Sequence, residues 1–159
     1  MSLPKKIQRR AEAELRAHRE NIILLDIRKK DLEMSYSLSR RVGDEPVRGS
    51  HRSDPTSRAA VQAVMLKGEI TKLEARIEKV KCGLRMCTKE EQEILEMRYM
   101  GRVEPTDQDV IIALGYGFRN KYYELRDKGL TKIAKAFGWR YDGRDKDETM
   151  RDVSKKDSE

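Results

Sequence analysis

The chain has 159 residues, 40% of them charged, 37% apolar and 6% aromatic, and its 35 Lys and Arg against 28 Asp and Glu give a formal charge of +7. That length suits one ordinary domain, or a small domain with an extended helical part, and the modest apolar share argues against a deep catalytic cleft. The basic balance favours a polyanionic partner or an acidic surface.

The opening "MSLPKKIQRRAEAELRAHRE" lacks the apolar core of a signal peptide, and no window approaches the roughly 18 apolar residues of a membrane span, so a cytoplasmic protein without a membrane partner is expected. Residues 4 to about 34 read as a long helix: Pro4 suits a first turn, and Leu15, Ile22, Leu25 and Leu32 form a stripe that Ile23, Leu24 and Ile27 broaden. Residues 35–54 mix serine, glycine, proline and both charge signs without an apolar period, the composition of a flexible, poorly ordered connection. A second long helix is announced by Asp54 as cap and Pro55 at its first position. Its Ala59, Ala63, Leu66, Ile70, Leu73, Ile77, Val80, Leu84 and Cys87 alternate steps of four and three, an unbroken heptad seam that another helix must cover. The first helix folding back as a hairpin, the same helix of a second subunit, or both together in a dimer would cover it. Cys82 and Cys87 are five apart on this helix, too badly placed for a relaxed disulfide, and His18 and His51 are remote in sequence, so reduced thiols are expected and no metal site.

Thr88 with Glu91 fits a capping box, opening a helix that turns Ile94, Leu95 and Tyr99 inward and ends near Gly101. Thr106 with Asp109 repeats the pattern for a short helix whose Val110, Ala113 and Leu114 share a face and whose end is Gly115. A further helix follows from about 118 to 137 and stops at Gly138. Helix, short helix, glycine turn, helix is the layout of a helix-turn-helix unit. Gly115 and Gly117 also raise the possibility of a phosphate-cradling loop, but neither a preceding strand nor a following Lys-Ser/Thr accompanies them.

Charge divides at that turn. Residues 88–117 carry three Lys or Arg against seven Asp or Glu, hence −4, whereas 118–139 carry six against two, hence +4. Tyr122, Leu125, Gly129 or Leu130, and Ile133 form a packing side, leaving Arg119, Asn120, Lys121, Tyr123, Glu124 and Lys128 as candidate DNA-binding residues. Arg and Lys can donate to guanine or phosphate, Asn can pair with adenine, and Glu can accept from cytosine. No Ser/His/Asp, Cys/His or clustered-carboxylate arrangement is apparent, so no catalytic residue, enzyme activity or cofactor is expected.

"CTKEEQEILEMRYMGRVEPTDQDVIIALGYGFRNKYYELRDKGLTKIAKAFG" resembles region 4 of bacterial sigma factors, and more closely the phage-encoded transcriptional regulators of the ArpU and RinA kind. The matching positions are Thr88, Glu90, Glu91, Ile94, Arg98 and Tyr99; Thr106, Asp109, Val110, Leu114 and Gly115; and Tyr122, Tyr123, Leu125, Arg126, Leu130 and Gly138. The upstream order of helix, variable connection ending in "SDPT" and heptad helix also resembles the RinA-like layout. A departure is Gly117-Phe118, where sigma-like sequences usually place serine or threonine, with one extra residue in the turn and Gly117 left as the cap. The resemblance implies an activator of phage late or lytic genes in the bacterial cytoplasm or from a prophage.

The resulting expectation is an all-α chain. Residues 1–87 form a helical hairpin or coiled-coil oligomerisation region, 88–139 a sigma-region-4-like helix-turn-helix domain, and 140–159 a charged, disordered tail. Its partners would be double-stranded DNA, a second copy in a homodimer, and RNA polymerase, for which the acidic 88–109 surface is suited. The alternatives are a DNA-packaging subunit similar to small terminases and a purely structural coiled-coil protein with no nucleic-acid role.

Overall fold

The computed structural model of the chain describes residues 3–42 and 55–140, and every regular element among them is an α-helix. Helix α1 spans Lys5–Val42, α2 Pro55–Met86, α3 Lys89–Tyr99, α4 Asp107–Ala113 and α5 Arg119–Ala136. The expected cap Asp54 and the 141–159 part of the tail lie outside the described residues.

The heptad seam of α2 organises the molecule. Ala63, Leu66, Ile70, Ile77, Val80 and Leu84 are buried, and Ala59, Leu73 and Cys87 are half-buried. α1 fills this seam from the same chain, running antiparallel: Glu14 pairs with Arg76, while Arg28 and Lys29 further along pair with Glu69 and Glu74. These ion pairs are largely exposed and worth under about 1 kcal/mol each, so the apolar seam carries the energy and the charges help fix orientation.

Two expectations for α1 are corrected. The helix does not end near 34 but continues through residues 35–42 of the anticipated connection, the rest of which lies outside the described residues, because no glycine or proline interrupts it before Gly43 and its late residues still have a surface to meet. The Lys67 ammonium lies 5.6 Å from the Tyr36 ring centre, and Met34, Ser35 and Leu38 share a groove of about 410 Å³ with Ala59, Gln62 and Leu66. Of the expected stripe, Leu15 is buried and Leu25 and Leu32 are half-buried, but Ile22 is 44% exposed with Asn21 buried in its place, and Ile23, Leu24 and Ile27 are exposed.

His18 is buried with no hydrogen-bond partner for Nδ1 among the described residues, and burial, followed by the charge of Lys81, holds its pKa below the usual 6.5. The unfolded chain therefore takes up a proton that the folded chain resists. The contribution is favourable above pH 6.5 and is lost as pH falls from there through the lower folded value. Urea midpoints should drop between pH 7.5 and 5.5, and His18→Leu should remove that part of the slope.

The three C-terminal helices rest on one end of this pair. Leu95 and Tyr99 of α3 and Leu130, Ile133 and Ala134 of α5 join Leu3, Ile7, Ala11, Leu15, Val80 and Leu84 in one core, with Phe137 stacked on Trp139 at its edge. A second, smaller core holds Ile94, Val110, Ile111 and Tyr122, backed by Leu114, Tyr116 and Leu125. On α4 it is Ile111, and not the expected Ala113, that is buried beside Val110. The carboxyl half of α5 is thus built into the helical pair, while its amino half lies over the second core.

Glycine makes the first junction possible. A Cβ on Gly83 would stand 2.6 Å from Ile133 Cδ1 and 3.0 Å from Ile133 Cα, so α2 and α5 touch nearly backbone to backbone. Gly129 likewise meets Leu95 Cδ1 at 2.9 Å. Gly83→Val should lower the urea midpoint by an amount equivalent to about 1 to 3 kcal/mol, since the α5 backbone, and not merely a flexible side chain, stands in the way.

Candidate nucleic-acid interface

The amino half of α5 is presented by a frame that the sequence specifies closely. Thr88 Oγ1 accepts from the Glu91 amide at 3.3 Å while Glu91 Oε2 accepts from the Thr88 amide at 3.0 Å, and Thr106 with Asp109 repeats the reciprocal pair at 3.3 and 2.9 Å. These boxes satisfy backbone donors that the first helical turn leaves free and fix where α3 and α4 begin. Lys132 of α5 also donates to the buried Glu91 carboxylate, tying the α3 cap to α5.

Asp107, the first residue of α4, joins all three helices. Arg98 Nε of α3 and Tyr122 Oη of α5 each donate to its Oδ1 at 2.8 Å, and Arg126 Nη1 of α5 donates to Oδ2 at 3.4 Å. Partial burial works against ionisation, but the hydrogen bonds from Arg98 and Tyr122 and the charges of Arg98 and Arg126 prevail and hold the carboxyl below the usual carboxylate value. Burial, aided by this contact, pushes the Tyr122 phenol up, so Tyr122 remains a donor. Arg98 also bonds Glu104, which receives Arg16 of α1 at 2.7 Å, and Tyr99 Oη donates to Glu12 of α1 at 3.1 Å.

The turn from α4 to α5 comprises Leu114, Gly115, Tyr116, Gly117 and Phe118. Gly115 has φ +70°, its amide donates to Ile112 O at 3.1 Å, and the Tyr116 amide donates to Ile111 O at 3.0 Å. This is a Schellman ending, in which the left-handed residue is a glycine because a Cβ would be strained. Gly138 ends α5 in the same way, with φ +70° and paired bonds back to Lys135 and Ala134. The residue that caps α5 is not Gly117 but Phe118, in extended conformation, and its ring supplies no capping hydrogen bond.

All six expected DNA-binding residues reach the surface, but not as one group. Asn120, Lys121, Glu124 and Lys128 lie on the side of α5 opposite its packing side, continued by Lys135. Arg119 is on the flank, its Nη2 donating to Gln108 of α4 at 2.7 Å, and Tyr123 is 37% exposed, edge-on to Tyr122 with the Arg126 guanidinium 4.9 Å from its ring centre. Lys128 pairs with Glu124 at 2.7 Å. The +4 count for 118–139 therefore overstates the cationic character of this surface, because Arg126 and Lys132 are also engaged internally. Lys121 and Lys135 have no ion-pair partner among the described residues, and the Lys121 ammonium sits 5.8 Å from the Tyr116 ring centre.

The sequence reading missed Phe118, whose side chain is 81% exposed, and Asp107, which reads in the sequence as an ordinary first-turn acid. Elsewhere, Cys87 is half-buried and its thiol is pushed up to about 11 by burial and then by the charge of Glu91. No group of three or more His, Cys, Asp or Glu among the described residues is arranged to hold a metal ion, and no described helix is long and apolar enough to cross a membrane. No family model matches the chain, and no curated protein or solved structure matches it either.

Proposed function

We propose that the chain is a sequence-specific regulator of transcription that binds duplex DNA as a homodimer, with α4 and α5 as the two helices of a helix-turn-helix unit. The observation that carries this reading is the way α5 is held. Its carboxyl half is locked into the helical pair, and its amino half rests on two fully capped helices with Asn120, Lys121, Glu124 and Lys128 facing out. A recognition helix needs this combination of a rigid back and a polar, donor-rich front.

The second copy is assigned to a face other than the α2 seam, which α1 already fills. Ile23 and Ile27 lie along one side of α1 and are 52 and 44% exposed, and that side runs on to Met34 and Leu38 at the edge of the groove shared with α2. A pair of chains joined in this way would present two α5 helices to half-sites about 34 Å apart. The sequence resemblance to ArpU- and RinA-like regulators supports the biological setting: activation of phage late or lytic genes in the bacterial cytoplasm. RNA polymerase is the further partner, placed against the exposed Glu90, Glu93 and Glu96 of α3.

Duplex binding measured across a salt series tests the proposal. Affinity should fall steeply between about 50 and 200 mM salt, because releasing condensed counterions into a saltier solution gains less entropy. A mass of twice the 18.5 kDa chain is expected in solution. Absence of duplex binding at low salt contradicts the reading, and a stable ring of many subunits favours the packaging alternative.

A further inference from the structure

Phe118 is 81% exposed, the highest value among the large apolar side chains described, and it belongs to neither core. It occupies the cap position of α5 with φ −125° and ψ 121°, where Ser, Thr, Asp or Asn would add about 1 kcal/mol of stability by bonding a free amide. The ring thus neither packs nor caps. Its base is nonetheless fixed: Tyr116 is anchored by the Schellman bond to Ile111 O, Arg119 is held by Gln108, and Tyr122 is buried with its hydroxyl on Asp107. The residues that follow it are Arg119, Asn120 and Lys121, all exposed and polar or cationic. An apolar ring followed by cations suits a polyanion that offers apolar points between its charges, rather than an apolar protein patch.

Duplex DNA has one such point in the major groove, the C5-methyl of thymine, which apolar side chains such as Phe contact directly. We propose that Phe118 reads this methyl, so that the recognised half-site carries a thymine opposite the amino end of α5. The inference rests on the DNA-binding reading above. It adds what the polar face alone does not supply, a means of distinguishing thymine from cytosine by shape.

The test uses the full chain and duplexes recovered by selection, with each thymine replaced in turn by deoxyuridine, which removes only the methyl. At one position the replacement should weaken the wild-type chain about fourfold, the value of one buried methyl-sized group. Phe118→Ala should lose a similar factor on the thymine duplex and nothing further on the deoxyuridine duplex. Because the ring is exposed, the variant should keep the wild-type circular dichroism and urea midpoint, and an unfolded variant would mean the ring packs, overturning the proposal. Wild-type binding insensitive to every deoxyuridine replacement, or equal sensitivity in wild type and variant, overturns it while leaving DNA binding intact. Failure of the wild-type chain to bind any duplex at low salt overturns both.

Discussion

Asp107→Ala should cost about 2 to 4 kcal/mol in a urea melt, the largest loss expected from any single polar substitution in this chain. Removing one partner of a buried ion pair costs about 3 to 5 kcal/mol, because the remaining charge stays desolvated, and the 27% exposure of Asp107 calls for a discount from that range. Two partly buried guanidiniums each lose a partner at once, Arg98 keeping only the more exposed Glu104 and Arg126 only Asp127, and the Tyr122 hydroxyl loses its acceptor. Asp107→Asn should fall between, since an amide oxygen can still accept from Arg98 or Tyr122 but carries no charge. Acid should imitate the alanine variant: the folded-state pKa is lowered, so the stabilisation is present above the unfolded carboxylate value and is lost as pH falls through the folded one. A urea midpoint unchanged by either substitution would mean that the three helices are held by their apolar contacts alone.

The second large effect is expected on binding. Asn120→Ala should weaken the preferred duplex by about 1 to 3 kcal/mol and leave mixed-sequence DNA nearly unaffected, because a side-chain amide that pairs with adenine discriminates and does not merely attract. Lys121→Ala should weaken all duplexes alike and reduce the slope of log affinity against log salt by about one, the signature of a single lost phosphate contact. Both residues are exposed and make no side-chain hydrogen bond among the described residues, so neither change should move the urea midpoint. Fluorescence anisotropy on a selected and a scrambled duplex separates the two patterns. Lys128 should matter less than Lys121, since Glu124 already neutralises it in the free chain.

Much of this architecture was legible because local chemistry and tertiary demand agree. The 4,3 alternation on α2 has one geometric solution, a helical seam, and each Thr-to-acid spacing marks a helix start that the backbone adopts. Gly115 and Gly138 end helices because only glycine takes φ +70° without strain. What escaped depends on contacts between distant segments. Continuation of α1 to Val42 follows from the surface of α2 beneath it, and the preference for Asn21 over Ile22 as a buried position follows from the direction of the antiparallel partner. The need for glycine at 83 exists only because Ile133, fifty residues away, presses on it. The same holds for the interface. All six candidate side chains named from the sequence are exposed, but the division into Asn120, Lys121, Glu124 and Lys128 on the front and Arg119 and Tyr123 on the flank comes from where α4 lies. Charge counting cannot see that Arg126 and Lys132 point back into the frame.

On the proposed function, the amino half of α5 reads sequence in a DNA duplex. Selection of bound fragments from a random duplex pool by the full chain tests it most directly, with the Asn120→Ala, Lys121→Ala double variant selected in parallel. The account predicts that the wild-type chain enriches a motif repeated in two half-sites one helical turn, or a multiple of one, apart, and that the double variant enriches none or a relaxed one. Recovery of no motif by the wild-type chain, or of the same motif with equal enrichment by both, would contradict it.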